Sequence, residues 1–379
     1  MQTNPIWPIA AGIVILGAGG IAPTASPLPA IAVAGIALTS GEAQDSAVQD
    51  IVIDIVRHGQ RMPPFNDVIT PSPDHPGPPL SDLGVQQAHD VAIKLHQELG
   101  DQVAGIFSGQ AIRDMDTAAP FAELENMTTQ ILPGLNEIDS GSYAGQPIAS
   151  LSGFLYQFTP MLWTLFGLVL APIPGSIEDP NGVVMDQKFT DAVDAMYSAA
   201  MANPVESDTG DITAVAFNNE ADIAAWVALN VKNPDISLLL PLTLQTMFAN
   251  DDGSPLLPNT GIVQIEGNPT DGWTLVNWNG IAVPEDPGLL TKLIMEMRDL
   301  ITTPQVAVWN LYQALLGGDP TTIGAALQTG LHDVSSVFLG FPQAVFGDIT
   351  DAWANLGGAV GGQVADETGS TLGDLLALI

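Results

Sequence analysis

Residues 51–56 read Ile-Val-Ile-Asp-Ile-Val, an almost continuous apolar and β-branched run. A run of that length with one polar position predicts a strand over residues 50–56 that is buried on both faces. The proline-rich segment 62–79 disfavours helix and central strand alike, and predicts a loop. The spacing then becomes helical: Val85, Ala88, Ala92, Leu95 and Leu99 share one face, Ser81 stands at the N-cap, and Gly100 ends the segment. "QVAGIFS" (102–108) predicts a second buried strand and "AIRDMDTAAPFAE" (111–123) the helix after it. Further along, "DITAVAF" (211–217) reads as a strand and "EADIAAWVALN" (220–230) as a helix. "GIVQIEG" (261–267) and "GWTLVNWNG" (272–280) read as a strand pair forming a hairpin at the sheet edge. This alternation predicts an α/β fold, a three-layer α/β/α sandwich with a mainly parallel sheet, whose ligands gather at the carboxyl ends of the strands.

Three stretches depart from this pattern. Residues 1–41 carry no charged side chain and hold the apolar run "IWPIAAGIVILGAGGIA", so residues 1–45 are expected to be an export signal or a membrane anchor, with a buried apolar arm as the alternative. Residues 140–177 are also free of charge; they predict a hydrophobic insertion at about 146–185, read as a lid over the site or as a patch facing a membrane or a membrane-protein partner. Residues 303–379 form short Ala/Leu/Gly segments without a single Lys or Arg, which predicts a helical C-terminal extension to a domain spanning 46–302.

Charge narrows the functions. Eight Lys and Arg stand against 42 Asp and Glu, a formal charge of −34, so the surface repels polyanions and no nucleic-acid partner is expected. There is no cysteine, which removes disulfides, thiolate metal sites and a cysteine nucleophile. No metal-ligand spacing of histidines and no glycine-rich nucleotide loop occurs, so no metal and no cofactor is expected.

The four arginines of the chain are therefore informative. Arg57 and Arg61 lie just past the first strand and Arg113 just past the second, so adjacent parallel strands would gather them at one sheet edge. Guanidinium groups offer a planar fork suited to phosphoryl oxygens. His58, among these cations, is the nitrogen nucleophile of the group, because neighbouring positive charge keeps its imidazole neutral.

"RHG" after a strand, "LSDLGVQQA" (80–88), Ser108 and Arg113 with Thr117 and Ala118, and "LNEIDSGSYAG" (135–145), in this order, resemble the histidine phosphatase superfamily, the phosphoglycerate-mutase-like fold. The leader, insertion and tail resemble those of exported mycobacterial members. The resemblance implies that His58 accepts the phosphoryl group, that Arg57 and Arg113 hold its oxygens, and that Glu137 protonates the leaving oxygen and then activates water. Asn66 and Gln60 would add neutral donors, and the substrate would be a small phosphorylated compound or phosphate. One position departs from the family: its second histidine is replaced in "VAFNNEADI" by Asn219, with Asn218 as the register alternative. An amide cannot become cationic, so the charge-assisted part of transition-state stabilisation is lost. Two functions follow: an exported phosphomonoester hydrolase working through phospho-His58, or a catalytically inactive phosphatase-like binding or scaffold protein of the cell envelope. "RHGQRMP" also fits the acid-phosphatase branch, which would use Arg61 as a third arginine and His332-Asp333 as its later pair, although that pair follows an Ala/Gly-rich helical stretch and reads by default as tail surface.

Overall fold

The structure, a computed structural model, describes residues 49–62, 68–69, 77–248 and 254–363, with side chains through 354. The predicted leader, and Asn66 and His75 of the proline-rich loop, lie outside the described residues.

Seven strands form one sheet: β1 (Ile51–Arg57), β2 (Val103–Ser108), β3 (Gln130–Ile131), β4 (Thr213–Asn218), β5 (Ile262–Asn268), β6 (Gly272–Trp278) and β7 (Ile281–Ala282), in the order β3-β2-β4-β1-β5-β6-β7. The first four in that order pair in parallel, whereas β5, β6 and β7 extend the sheet from β1 as an antiparallel meander. The fold is thus α/β with a sheet that is parallel through its centre, and the predicted hairpin forms one side of it.

Alternation along the central strands explains the layers. Ile51, Ile53 and Ile55 of β1 and Ala214 and Ala216 of β4 pack on one face with Phe189 and Val193 of α4 (Gly182–Ala202) and Trp226 and Val227 of α5 (Glu220–Asn230). Val56, Val215 and Phe217 point to the other face, against Val91, Ala92 and Leu95 of α1 (Asp82–Leu99) and Ala118 and Phe121 of α2 (Ile112–Leu124). Val85, expected on the buried face of α1, is exposed and Val91 takes its place in the core. Asp54, the one polar residue of the β1 run, is buried on the α1 face and accepts from Gln264 Nε2 at 2.9 Å; burial above all pushes its carboxyl up to about 6.

The charge-free insertion folds as α3 (Leu151–Thr164) and a loop returning to α4. Its inner side, Trp163, Val169 and Ile173, packs with Ile138 and Ala225. Its outer side exposes Leu151, Phe154, Leu155, Phe166 and Ile177, with Phe154 stacked on Phe158 at 5.5 Å. α6 (Ile236–Phe248) precedes β5.

The C-terminal region differs from the short segments expected. It is a hairpin of two long helices, α7 (Leu289–Gly317) and α8 (Pro320–Gln363), turned by Gly318 in a left-handed conformation. Glycine and proline do not interrupt these helices: Gly330 packs on Ala307 of the facing helix, Gly324, Gly340 and Gly347 meet nothing within reach of a Cβ, and Pro304 and Pro342 sit inside helices. α7 begins within the main fold, where buried Arg298 donates to the carbonyl of Ala228 and Gln305 Nε2 to Gly167 O at 2.7 Å. Among the described residues no helix is long and apolar enough to cross a membrane.

Candidate active site

The chain leaves β1 through His58 and Gly59, and the local packing explains why glycine follows the histidine. A Cβ on Gly59 would lie 2.6 Å from Gly84 O, and one on Gly84 would collide with Gln60 O. The two backbones touch only because neither residue has a side chain. Gly59 N donates to Thr117 Oγ1 at 3.0 Å, and Ser81 Oγ to Gln60 Oε1 at 2.8 Å. Gln60 therefore ties the loop to the start of α1; its backbone N–H also donates to Gln87 Oε1 at 2.8 Å.

His58 is buried, and its backbone N–H donates to Asn218 O at 3.0 Å. Nδ1 lies 2.7 Å from Gly59 O. A carbonyl only accepts, so Nδ1 carries the proton and Nε2 keeps its lone pair. Burial first, then the charges of Arg113, Arg57 and Arg61, hold the ring well below the ordinary imidazole range, so it is neutral near pH 7.

The arrangement of strands corrects one expectation. β1 and β2 are not neighbours; β4 lies between them. The end of β4 and the first turn of α5 therefore join the pieces. Arg113, buried on α2, donates from Nε to Asn219 Oδ1 at 3.0 Å, also from Nη2 to the same oxygen, and from Nη2 to Glu137 Oε2 at 2.7 Å. Asn219 Nδ2 donates to Asp114 Oδ2 at 3.1 Å and faces Asn218 Oδ1 at 3.5 Å. Asn219 is the N-cap of α5, yet its side chain caps nothing because both ends of its amide are engaged. Asn218, the alternative position, turns its Oδ1 to the backbone N–H of Asn219.

Arg57 pairs with Glu220 at 3.0 Å and donates to Leu257 O, both through Nη1, while its buried Nε has no partner among the described residues. Arg61 is half-buried where the backbone bridges to Leu80, and its charge reaches His58. His58, Arg57, Arg61, Arg113, Glu137 and Asn219 are thus gathered at the carboxyl ends of β1, β4 and β2. His332-Asp333 is not: it lies exposed along α8, beyond no strand, as the tail surface that is its default reading. His89 is exposed on α1, and His96 pairs with Glu125 at 2.8 Å. Among the described residues no three His, Cys, Asp or Glu side chains converge as a metal site.

Residues 53–164 match the family model of the histidine phosphatase superfamily, branch 1. The chain carries a histidine phosphatase domain. The PE-PGRS family protein PE_PGRS11 of Mycobacterium tuberculosis is 42% identical over 306 residues, which cover 80% of this chain and 49% of that protein; the chain spans about half the length of this curated relative. Among solved structures, a mycobacterial glucosyl-3-phosphoglycerate phosphatase is 20% identical with a TM-score of 0.43, over 62% of this chain and 100% of that one. Phosphoglycerate mutase from Bacillus anthracis is 14% identical with a TM-score of 0.37, over 61% and 93%.

Several residues around this site escape sequence reading. Asn259 Nδ2 donates to His58 O at 3.2 Å, and Thr260 N to Arg57 O at 3.1 Å, both from the loop before β5, with no signal in the chain. Asp114 and Glu220 had one: each is an acid next to a candidate site residue, in "RDMD" and "NNEAD". Asp222, on the first turn of α5, is fully buried with neither carboxyl oxygen hydrogen-bonded among the described residues, and burial raises its pKa far above the usual range.

Proposed function

We propose that the chain is a phosphomonoester hydrolase that passes the phosphoryl group through Nε2 of His58. The observation that carries the reading is the buried His58 ring, its Nδ1 proton directed to Gly59 O and three arginine charges around it. Nε2 would attack phosphorus as the bond to the leaving oxygen breaks, with Glu137 giving that oxygen its proton. Water would then displace the phosphoryl group from nitrogen, losing a proton to Glu137 and releasing phosphate. Arg113 and Arg57, with Arg61 at the loop, would hold the phosphoryl oxygens. The branch 1 family match supports a phosphatase-type function.

A second reading has its own support. The amide of Asn219 is engaged by Arg113 and Asp114 and cannot become cationic, which favours a phosphate-binding protein without turnover. Export rests on the charge-free leader, and a membrane or membrane-protein partner on the exposed apolar side of the insertion. The test is hydrolysis of p-nitrophenyl phosphate by the purified chain in a chelator, beside His58→Ala. Turnover lost in His58→Ala supports the hydrolase. Absence of turnover in the native chain, with inorganic phosphate still bound, supports the binding protein.

A further inference from the structure

The buried carboxyl of Asp114 has no part in the scheme above. It sits on α2 next to Arg113, fully buried. Its Oδ2 accepts from Asn219 Nδ2 at 3.1 Å, while its Oδ1 has no hydrogen-bond partner among the described residues. Through Asn219 it is linked to Arg113: the amide gives its N–H to Asp114 and its oxygen to Arg113 Nε and Nη2. The amide has one orientation that satisfies both neighbours; reversed, it would set an NH2 against a guanidinium and an oxygen against a carboxyl.

We propose that Asp114 is a positioning residue of the anion pocket, that it holds the carboxamide of Asn219 against Arg113 while itself the neutral acid, and that anion binding follows the proton on Asp114. This rests on the phosphate-pocket reading and adds to it the device that accompanies asparagine at position 219. Oδ2 is already an acceptor, so the proton resides on Oδ1. Burial above all raises the Asp114 pKa to about 7; Arg113 and the Asn219 hydrogen bond act the other way, and Glu137 adds to the rise. The charged groups around it are Arg113 on α2, Glu137 on the loop after β3, and Asp222 on α5, with His58 connected through Arg113. Arg113 already has Glu137 as its ion-pair partner. Arg113 and Glu137 are together already neutral, so a second carboxylate beside them would leave the group net negative and repel an anion, whereas the neutral acid adds no charge.

The experiment is calorimetric binding of sulfate, a phosphate mimic whose charge does not change near neutrality, by the full chain at about pH 6 and about pH 8. The affinity of the native chain should fall by about tenfold as Asp114 ionises, the effect of one added carboxylate at a modest effective dielectric. Asp114→Asn keeps the shape and an acceptor for Asn219; it should bind at both pH values as the native chain does at the lower one. Asp114→Ala releases Asn219 and should bind weakly at both. Asp222→Asn should keep the pH step. Native binding that is independent of pH, a step that survives Asp114→Asn, or one abolished by Asp222→Asn overturns the role of Asp114 while leaving the pocket intact. A native chain that binds no sulfate at either pH overturns the phosphate pocket itself.

Discussion

Arg113 and Asn219 are joined by two hydrogen bonds to one oxygen: Nε of the buried guanidinium lies 3.0 Å from Oδ1 of the amide, and Nη2 reaches the same atom. Asn219 is therefore a structural member of the site, and the first prediction concerns what its loss exposes. Asn219→Leu leaves Arg113 Nε and Asp114 Oδ2 buried without this partner. It should cost about 2–3 kcal/mol, as expected for unsatisfied buried groups of which one is charged. Urea denaturation measures it; a loss below about 0.5 kcal/mol would show that both groups find other partners.

The charge state of His58 gives a second. Burial and three arginines hold the ring neutral, with its proton on Nδ1. At about pH 6 an ordinary imidazole is mostly charged, whereas that of His58 should still show the nitrogen shifts of the neutral Nδ1–H tautomer by NMR. Titration at or above the ordinary value would contradict both the burial and the arrangement of arginines.

The contact of Gly59 with Gly84 predicts a steric effect. Gly84→Ala places a methyl group into the carbonyl of Gln60, and backbone at both positions must move. A loss of about 2–4 kcal/mol is expected. Any phosphate affinity should fall with it, because the displaced loop carries His58 and Arg61. Gly100→Ala, where nothing lies within reach of a Cβ, controls for backbone strain alone, since its φ of 56° is the left-handed region.

Asp54 predicts a pH dependence of stability. Its folded pKa, raised by burial from 3.8 to about 6, means that the native state binds the proton more tightly than the unfolded chain. Stability from this group is fully present below about pH 4 and declines as pH rises to about 6, by roughly 3 kcal/mol in all. Asp54→Asn keeps the acceptor for Gln264 and should remove that decline, so the difference in unfolding free energy between variant and native chain grows with pH. A constant difference from about pH 4 to 7 would rule out the raised pKa.

The chain itself determined the parts of this protein that depend on neighbours in sequence. β1, α1, β2, α2, β4 and α5 follow from local hydrophobic periodicity and caps such as Ser81, whose Oγ accepts from Gly84 N at 3.0 Å. His58, Arg57 and Arg113 were legible because scarce cations in an acidic chain stand at strand ends. Tertiary structure decided the rest, because it depends on which strands become neighbours. Inserting β4 between β1 and β2 brought Asn219 onto Arg113 and Glu220 onto Arg57, across 106 and 163 positions of sequence. The two long helices of the C-terminal hairpin were not legible as such, because glycine and proline weaken local helix propensity, while the contact of Gly330 with Ala307 joins positions far apart in sequence. Pattern in the sequence specifies which residues are buried; only the assembled sheet specifies which buried polar groups meet, and the chemistry of the site depends on that meeting.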